Sequence, residues 1–154
     1  MSALAIRAAT RDDLAAIVAL LADDVNGAKR EDASLPLDPG YGAAFDAIHA
    51  DPNQLLVVAE RDGRIVGTLQ ISFLPGLSFR GAWCGQIEAV RIASDLRGQG
   101  LGAELIAWAV AECRARGCKV AQLTSKGDRV AAHRFYERLG WTKSHAGFKL
   151  YLAD

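Results

Sequence analysis

Apolar side chains recur at two spacings along this chain, every second residue in short runs and every third or fourth in longer ones. The switching between them predicts strands interleaved with helices. Residues 4–7 read as a short strand, and Thr10-Arg11-Asp12-Asp13 has the form of a capping box opening a helix with Leu14, Ile17, Val18 and Leu21 on one face. Residues 23–40 hold Asp24, Asn26, Gly27, Glu31, Asp32, Ser34, Pro36, Pro39 and Gly40 without clear periodicity, a polar segment suited to lining a pocket, and a short helix is expected over 41–49. Strands over 54–60 and 65–73 flank Asp62-Gly63, whose residue types supply the positive φ angles of a tight hairpin turn. A loop with Pro75, Gly76 and Gly81 leads into a strand over 83–92, where simple alternation puts Gln86, Glu88, Val90 and Ile92 on one face. Next comes a helix over 100–116 with Leu101, Gly102, Leu105, Ile106, Ala109, Val110 and Cys113 on its apolar side, ended by Gly117. A strand over 120–124, a helix over 131–139 with Ala132, Phe135, Tyr136 and Leu139 in line, and a closing strand over 148–152 complete the reading.

Composition narrows the class. A chain of 154 residues that is 51% hydrophobic suffices for one domain over residues 1–154, with roughly 70% of its unfolded surface buried. Lys plus Arg and Asp plus Glu each total 18, so no overall field favours nucleic acid or an anionic membrane, and a small partner is expected. The first residues lack the basic start and apolar run of a signal peptide, and about 18 consecutive apolar residues occur nowhere; the expectation is a soluble cytoplasmic protein. Cys84, Cys113 and Cys118 form no CxxC and read as reduced packed thiols, and His49, His133 and His145 have no ligand spacing, so no metal is expected. Cys84 has no neighbouring His to serve a covalent route. Trp83, Trp108 and Trp141 are not interleaved with basic residues; they read as core or interface, which leaves a homodimer open.

The chemistry concentrates at Arg97-Gly98-Gln99-Gly100-Leu101-Gly102, between the strand over 83–92 and the helix over 100–116. A helix N-terminus offers unpaired N–H groups and partial positive charge, and glycines let an anion approach without meeting a Cβ; a phosphate group fits. The third glycine falls one place too early for a GxGxxG dinucleotide fingerprint, and no Gly-Lys followed by Ser or Thr makes a P-loop. A turn that only admits close helix packing is the plainer alternative, above all at Gly102.

The run from Gln86 to Gly102 resembles the acyl-CoA-binding segment of the GNAT N-acetyltransferase superfamily, whose signature is Gln or Arg, two residues, Gly, one residue, then Gly or Ala; Arg97, Gly100 and Gly102 fill it. AAHRFYERLGW, residues 131–141, is similar to the family's later helix with its Phe-Tyr pair and Leu-Gly-aromatic exit. The resemblance implies an α/β (α+β) fold: a mixed, mostly antiparallel sheet of about six to seven strands with a splayed middle, flanked by about four helices. It further implies acetyl-CoA as co-substrate, with Arg97, Gly98, Gln99, Gly100, Leu101, Gly102 and Ala103 cradling the pyrophosphate. Val90 and Ile92 would bond the pantetheine arm, and the Val90 N–H would polarise the thioester carbonyl. Where the family's later helix commonly begins with an Asn that contacts CoA, this chain has Arg129, which would reach a phosphate instead.

Amine acetylation needs a free amine, a polarised thioester and a proton for the leaving thiolate, without a covalent enzyme intermediate. Glu88, expected to be partly desolvated on its strand face, is the candidate proton acceptor, against the alternative of a surface carboxylate. Tyr136 matches the family's general-acid tyrosine, against the alternative of a core residue. DPNQLLVVAERDGRIVG and AAHRFYERLGWTKSHAGFKL are also similar to bacterial aminoalkylphosphonate N-acetyltransferases, which implies a small primary amine as acceptor. Asp24, Glu31 and Asp32 are candidates to attract it. A catalytically silent acyl-CoA-binding sensor or interaction module is the competing class; a nucleic-acid binder would need a basic stripe that balanced charge does not suggest.

Overall fold

A computed structural model describes residues 3–153, which group into two compact units, one ending at Gln122 and the other starting at Leu123. The first unit is a sheet of five strands in the order β1 (Ala5–Ala8), β2 (Gln54–Arg61), β3 (Arg64–Leu74), β4 (Cys84–Ile92) and β5 (Val120–Gln122). The first four are antiparallel to their neighbours, and β5 runs parallel to β4. The β2–β3 hairpin turns on Asp62 and Gly63, with φ of 52° and 75°, and pairs Arg61 with Arg64 across a two-residue loop. Asp and Gly are suited to that turn because both bear the left-handed conformation cheaply.

A single 3-10 turn, Arg11–Asp13, leads into α1 (Leu14–Ala22). The capping box is present: Asp13 Oδ2 accepts the Thr10 N–H at 2.7 Å and the Thr10 hydroxyl at 3.1 Å. The same carboxylate receives Arg7 of β1 at 2.7 Å, so one buried acid ties the helix start to the sheet edge. After α2 (Gly27–Arg30) comes α3 (Pro39–Ala50), two residues longer at its start than the sequence suggests, because Asp38 caps it by accepting the Gly40 N–H and Pro39 suits the first turn. Ile17 of α1, Phe45 of α3 and Val58 of β2 form one buried cluster on one face of the sheet.

The opposite face carries α5 (Leu101–Ala115), whose Leu101, Leu105, Ile106, Ala109 and Cys113 are buried as its periodicity foretells. Phe73, Leu69, Ile71 and Ile87 of the sheet are at most 1% exposed, each contributing about 1.5–3 kcal/mol of burial. Between β3 and β4, α4 (Ser78–Gly81) is a single turn in which Phe79, Arg80 and Gly81 all have positive φ.

In the second unit the described helix is α6 (Val130–Arg138), with Leu139 as its C-cap. Here the expectation of six to seven strands is corrected to five among the described residues. Residues 148–152 carry no strand, and Phe148, Leu150, Tyr151 and Leu152 are 83–95% exposed. Alternating apolar residues give a segment strand propensity, but a strand exists only where another backbone pairs with it.

Candidate functional site

Two features of β4 set the geometry of the candidate site. Its parallel ladder with β5 runs Cys84↔Val120, Gly85↔Ala121 and Gln86↔Gln122, then ends, while β4 continues to Ile92. From Ile87 onward β4 has no ladder with β5. Opposite, β3 pairs Gln70 with Glu88 and Thr68 with Arg91, so Ala89 and Val90 together face Leu69. This is a β-bulge, and Ala89 takes φ of 56° to make it.

The bulge corrects the simple alternation. Glu88, opposite Gln70, and Arg91, opposite Thr68, share one face, while Ile92, opposite Gly67, falls on the other. Val90 lies within the bulge, half-buried, and its carbonyl accepts from Arg91 Nη1 at 2.9 Å. Glu88 is exposed rather than desolvated, with the Ser72 hydroxyl 3.4 Å from its Oε1.

The glycine turn follows a 3-10 turn, Ser94–Leu96. Gly98 and Gly100 have φ of 80° and 82°, and a Cβ on either would meet nothing within 4 Å. These glycines answer to backbone conformation and leave open space in front of the α5 N-terminus, where Gly100 is the N-cap. Leu101 is buried, Gly102 and Ala103 half-buried, and Arg97, Gly98, Gln99 and Gly100 exposed. Arg97 Nη2 donates to the Asp23 carbonyl at 2.8 Å, and Asp23 Oδ2 accepts the Ser94 N–H.

Asp24, Glu31 and Asp32 of the irregular segment are each engaged. Asp24 pairs with Arg91 at 3.0 Å. Glu31 pairs with Arg30 and accepts the Tyr41 hydroxyl at 3.0 Å. Asp32 accepts both the N–H and hydroxyl of Ser34, which hold its carboxyl below the usual carboxylate range. An open depression of about 300 Å³ is lined by Arg30, Asp32, Asp38, Gly40 and Tyr41.

In the second unit, Tyr136 packs edge-on against Phe135 and Trp141, with centroids 5.1 Å and 6.0 Å away. Arg129 is the exposed N-cap of α6. Among the described residues no three His, Cys, Asp or Glu side chains are grouped to hold a metal ion, and no helix is long and apolar enough to cross a membrane. Burial pushes the Cys113 thiol up to about 11 and raises those of Cys84 and Cys118, consistent with packed thiols.

The sequence reading missed a polar row. Gln54, Ser72, Gln86 and Gln122 are successive partners across β2, β3, β4 and β5, and Gln70 lies beside them opposite Glu88. Gln54 Oε1 accepts from Gln70 Nε2 at 2.9 Å and from the Ser72 hydroxyl at 3.0 Å, and Gln122 Nε2 donates to Gln86 Oε1 at 2.9 Å. The signal was a polar residue in the same strand phase on adjacent strands.

The acetyltransferase (GNAT) family matches residues 17–141, a span holding both the bulged strand and the glycine turn. The chain belongs to the GNAT acetyltransferase family. This GNAT chain is 33% identical to the aminoalkylphosphonate N-acetyltransferase of Salmonella typhimurium over 93% of its own length and 88% of that protein's. Among solved structures, a transcriptional regulator from Bacillus halodurans C-125 is 45% identical, with a TM-score of 0.94 over 97% of this chain and 100% of that one. A putative acetyltransferase from Agrobacterium tumefaciens is 26% identical, with a TM-score of 0.84 over 96% and 99%. The protein is a GNAT N-acetyltransferase that uses acetyl-CoA.

Proposed function

We propose that this enzyme transfers the acetyl group of acetyl-CoA to the primary amine of a small molecule by direct attack. The observation that carries the reading is the sequence of features on one strand: ladder end at Gln86, bulge at Ala89 and Val90, then left-handed glycines opening α5. A bulge leaves a backbone group out of its ladder, and an edge without a neighbour can pair with an extended ligand. Val90 and Ile92 are the proposed partners of the pantetheine arm, with the Val90 N–H on the thioester oxygen. The N–H groups from Arg97 to Ala103 would hold the pyrophosphate, Arg97 and Arg129 adding charge.

In the reaction the neutral amine nitrogen forms a bond to the thioester carbon, and the C–S bond breaks as the tetrahedral centre collapses. Glu88 accepts the proton the nitrogen loses, directly or through water, from its place on β4 beside the bulge. Tyr136 supplies the proton to the CoA thiolate; this role rests on the family match. The acceptor's class is supported by the Salmonella relative, which is named for aminoalkylphosphonates.

The test is a CoA-thiol release assay over a panel of primary amines, aminoalkylphosphonates included, with Glu88→Gln beside the native protein. Amine-dependent release that falls in Glu88→Gln above the acid limb of the native pH profile, with that limb lost, is expected. Acetyl-CoA binding without release above buffer would make the chain a silent acyl-CoA module.

A further inference from the structure

Ser72 sits between two acceptors with one proton to give. Its side chain is buried, 8% exposed, on the β3 face that also bears Gln70, and its hydroxyl lies 3.0 Å from Gln54 Oε1 and 3.4 Å from Glu88 Oε1. Gln54 Oε1 already accepts Gln70 Nε2 at 2.9 Å, and strand register fixes all four side chains on one face of β2, β3 and β4. A hydroxyl donates once and can accept at its lone pairs, so two arrangements share this group between both neighbours. It donates to Glu88 when Glu88 is a carboxylate; when Glu88 carries a proton, Glu88 donates to Ser72 Oγ and Ser72 turns its own O–H to Gln54.

We infer that Ser72 and Gln54 are positioning residues that hold Glu88 in both of its protonation states and so set the pH at which it takes the amine proton; the functional meaning rests on the reading of Glu88 as proton acceptor. In the step itself the amine proton passes to Glu88 and later to solvent. Ser72 keeps one proton throughout and only exchanges partners. The other charged groups on this face are accounted for. Arg91, the next β4 residue on the Glu88 face, is paired with Asp24 at 3.0 Å. The α1 helix holds no charged side chain. On α3, Asp46 is bonded to Arg11, His49 is stacked on Phe45 at 5.7 Å, and the Tyr41 hydroxyl is given to Glu31. Glu60 and Arg61 of β2 lie at the hairpin end, with Glu60 on Arg7.

Two substitutions then have opposite signs. Ser72→Ala removes the donor to the carboxylate, which favours protonated Glu88. Gln54→Leu removes the nearer acceptor that competes for the Ser72 proton, which favours donation to the carboxylate. Carbon-13 NMR follows the Glu88 carboxyl in the full chain across pH, its resonance assigned by its loss in Glu88→Gln, with thermal unfolding confirming that each variant is folded. Relative to the native protein, the titration curve moves to higher pH in Ser72→Ala and to lower pH in Gln54→Leu, each by about half a unit or more. The acid limb of amine-dependent thiol release moves with it, at unchanged KM for acetyl-CoA. Shifts of the same sign, or none, in folded variants overturn the inference. If the opposite shifts are found while Glu88→Gln keeps native turnover, the positioning of Glu88 stands and the proton-acceptor reading falls.

Discussion

A Cβ placed on Gly85 of β4 would lie 2.2 Å from Cys113 Sγ and 3.1 Å from Cys113 Cβ on α5. No side chain fits between this strand and this helix at that point, and α5 is the helix whose start carries the glycine turn. Gly85→Ala therefore forces the helix off the strand or a side chain out of place, at a cost of about 1–3 kcal/mol. Combining it with Cys113→Ala removes the sulfur and should recover part of the loss in urea unfolding. Equal destabilisation in the single and double variants would show that the contact does not set the helix position.

Asp13 gives the fold a pH dependence. Hydrogen bonds, first from Arg7 and then from Thr10, hold its carboxyl down from 3.8 to about 2 in this buried position. A depressed carboxylate stabilises the fold above its unfolded value, and that contribution is lost as pH falls from about 4 toward 2. Asp13→Asn should cost on the order of 2 kcal/mol near neutral pH and flatten the decline of stability over that acid window. Chemical denaturation at a series of pH values checks it; parallel declines in both proteins would contradict the ion-pair account.

Tyr136→Phe separates a packing residue from a proton donor. The ring keeps its edge-on contacts with Phe135 and Trp141 while the hydroxyl is lost. As an acid, Tyr136 should be missed by a fall in turnover of on the order of 10²-fold with melting temperature and acetyl-CoA affinity nearly unchanged. A loss of about 1 kcal/mol in stability with full turnover would return it to packing.

What could be read in advance follows the range of the forces involved. The Asp62-Gly63 hairpin, the Thr10–Asp13 capping box and the buried stripe of α5 are local codes, set by residue type within one turn, and the structure has each of them. The bulge at Ala89 is not local: an alanine with φ of 56° has no signature in sequence, and it exists because Gln70 and Thr68 across the ladder hold their partners on either side. That single extra residue is why Ile92 leaves the Glu88 face. The polar row of Gln54, Ser72 and Gln86 was visible as residue types, but only the pairing register brings the three together. Residues 148–152 show the converse, an alternating pattern without strand pairing.

The central claim is that the glycine turn at the start of α5 holds the pyrophosphate of acetyl-CoA, and Gly100 tests it most directly. Its φ of 82° is a conformation that Asp tolerates better than most residues, at a strain of about 1 kcal/mol, and its side-chain position is open. Gly100→Asp should thus fold while placing a carboxylate where two phosphates are expected. Calorimetric titration of acetyl-CoA into both proteins, with circular dichroism as the control on fold, should show affinity reduced more than about tenfold in the variant, a loss above about 1.4 kcal/mol. Equal affinity in a variant with a native spectrum would contradict the assignment.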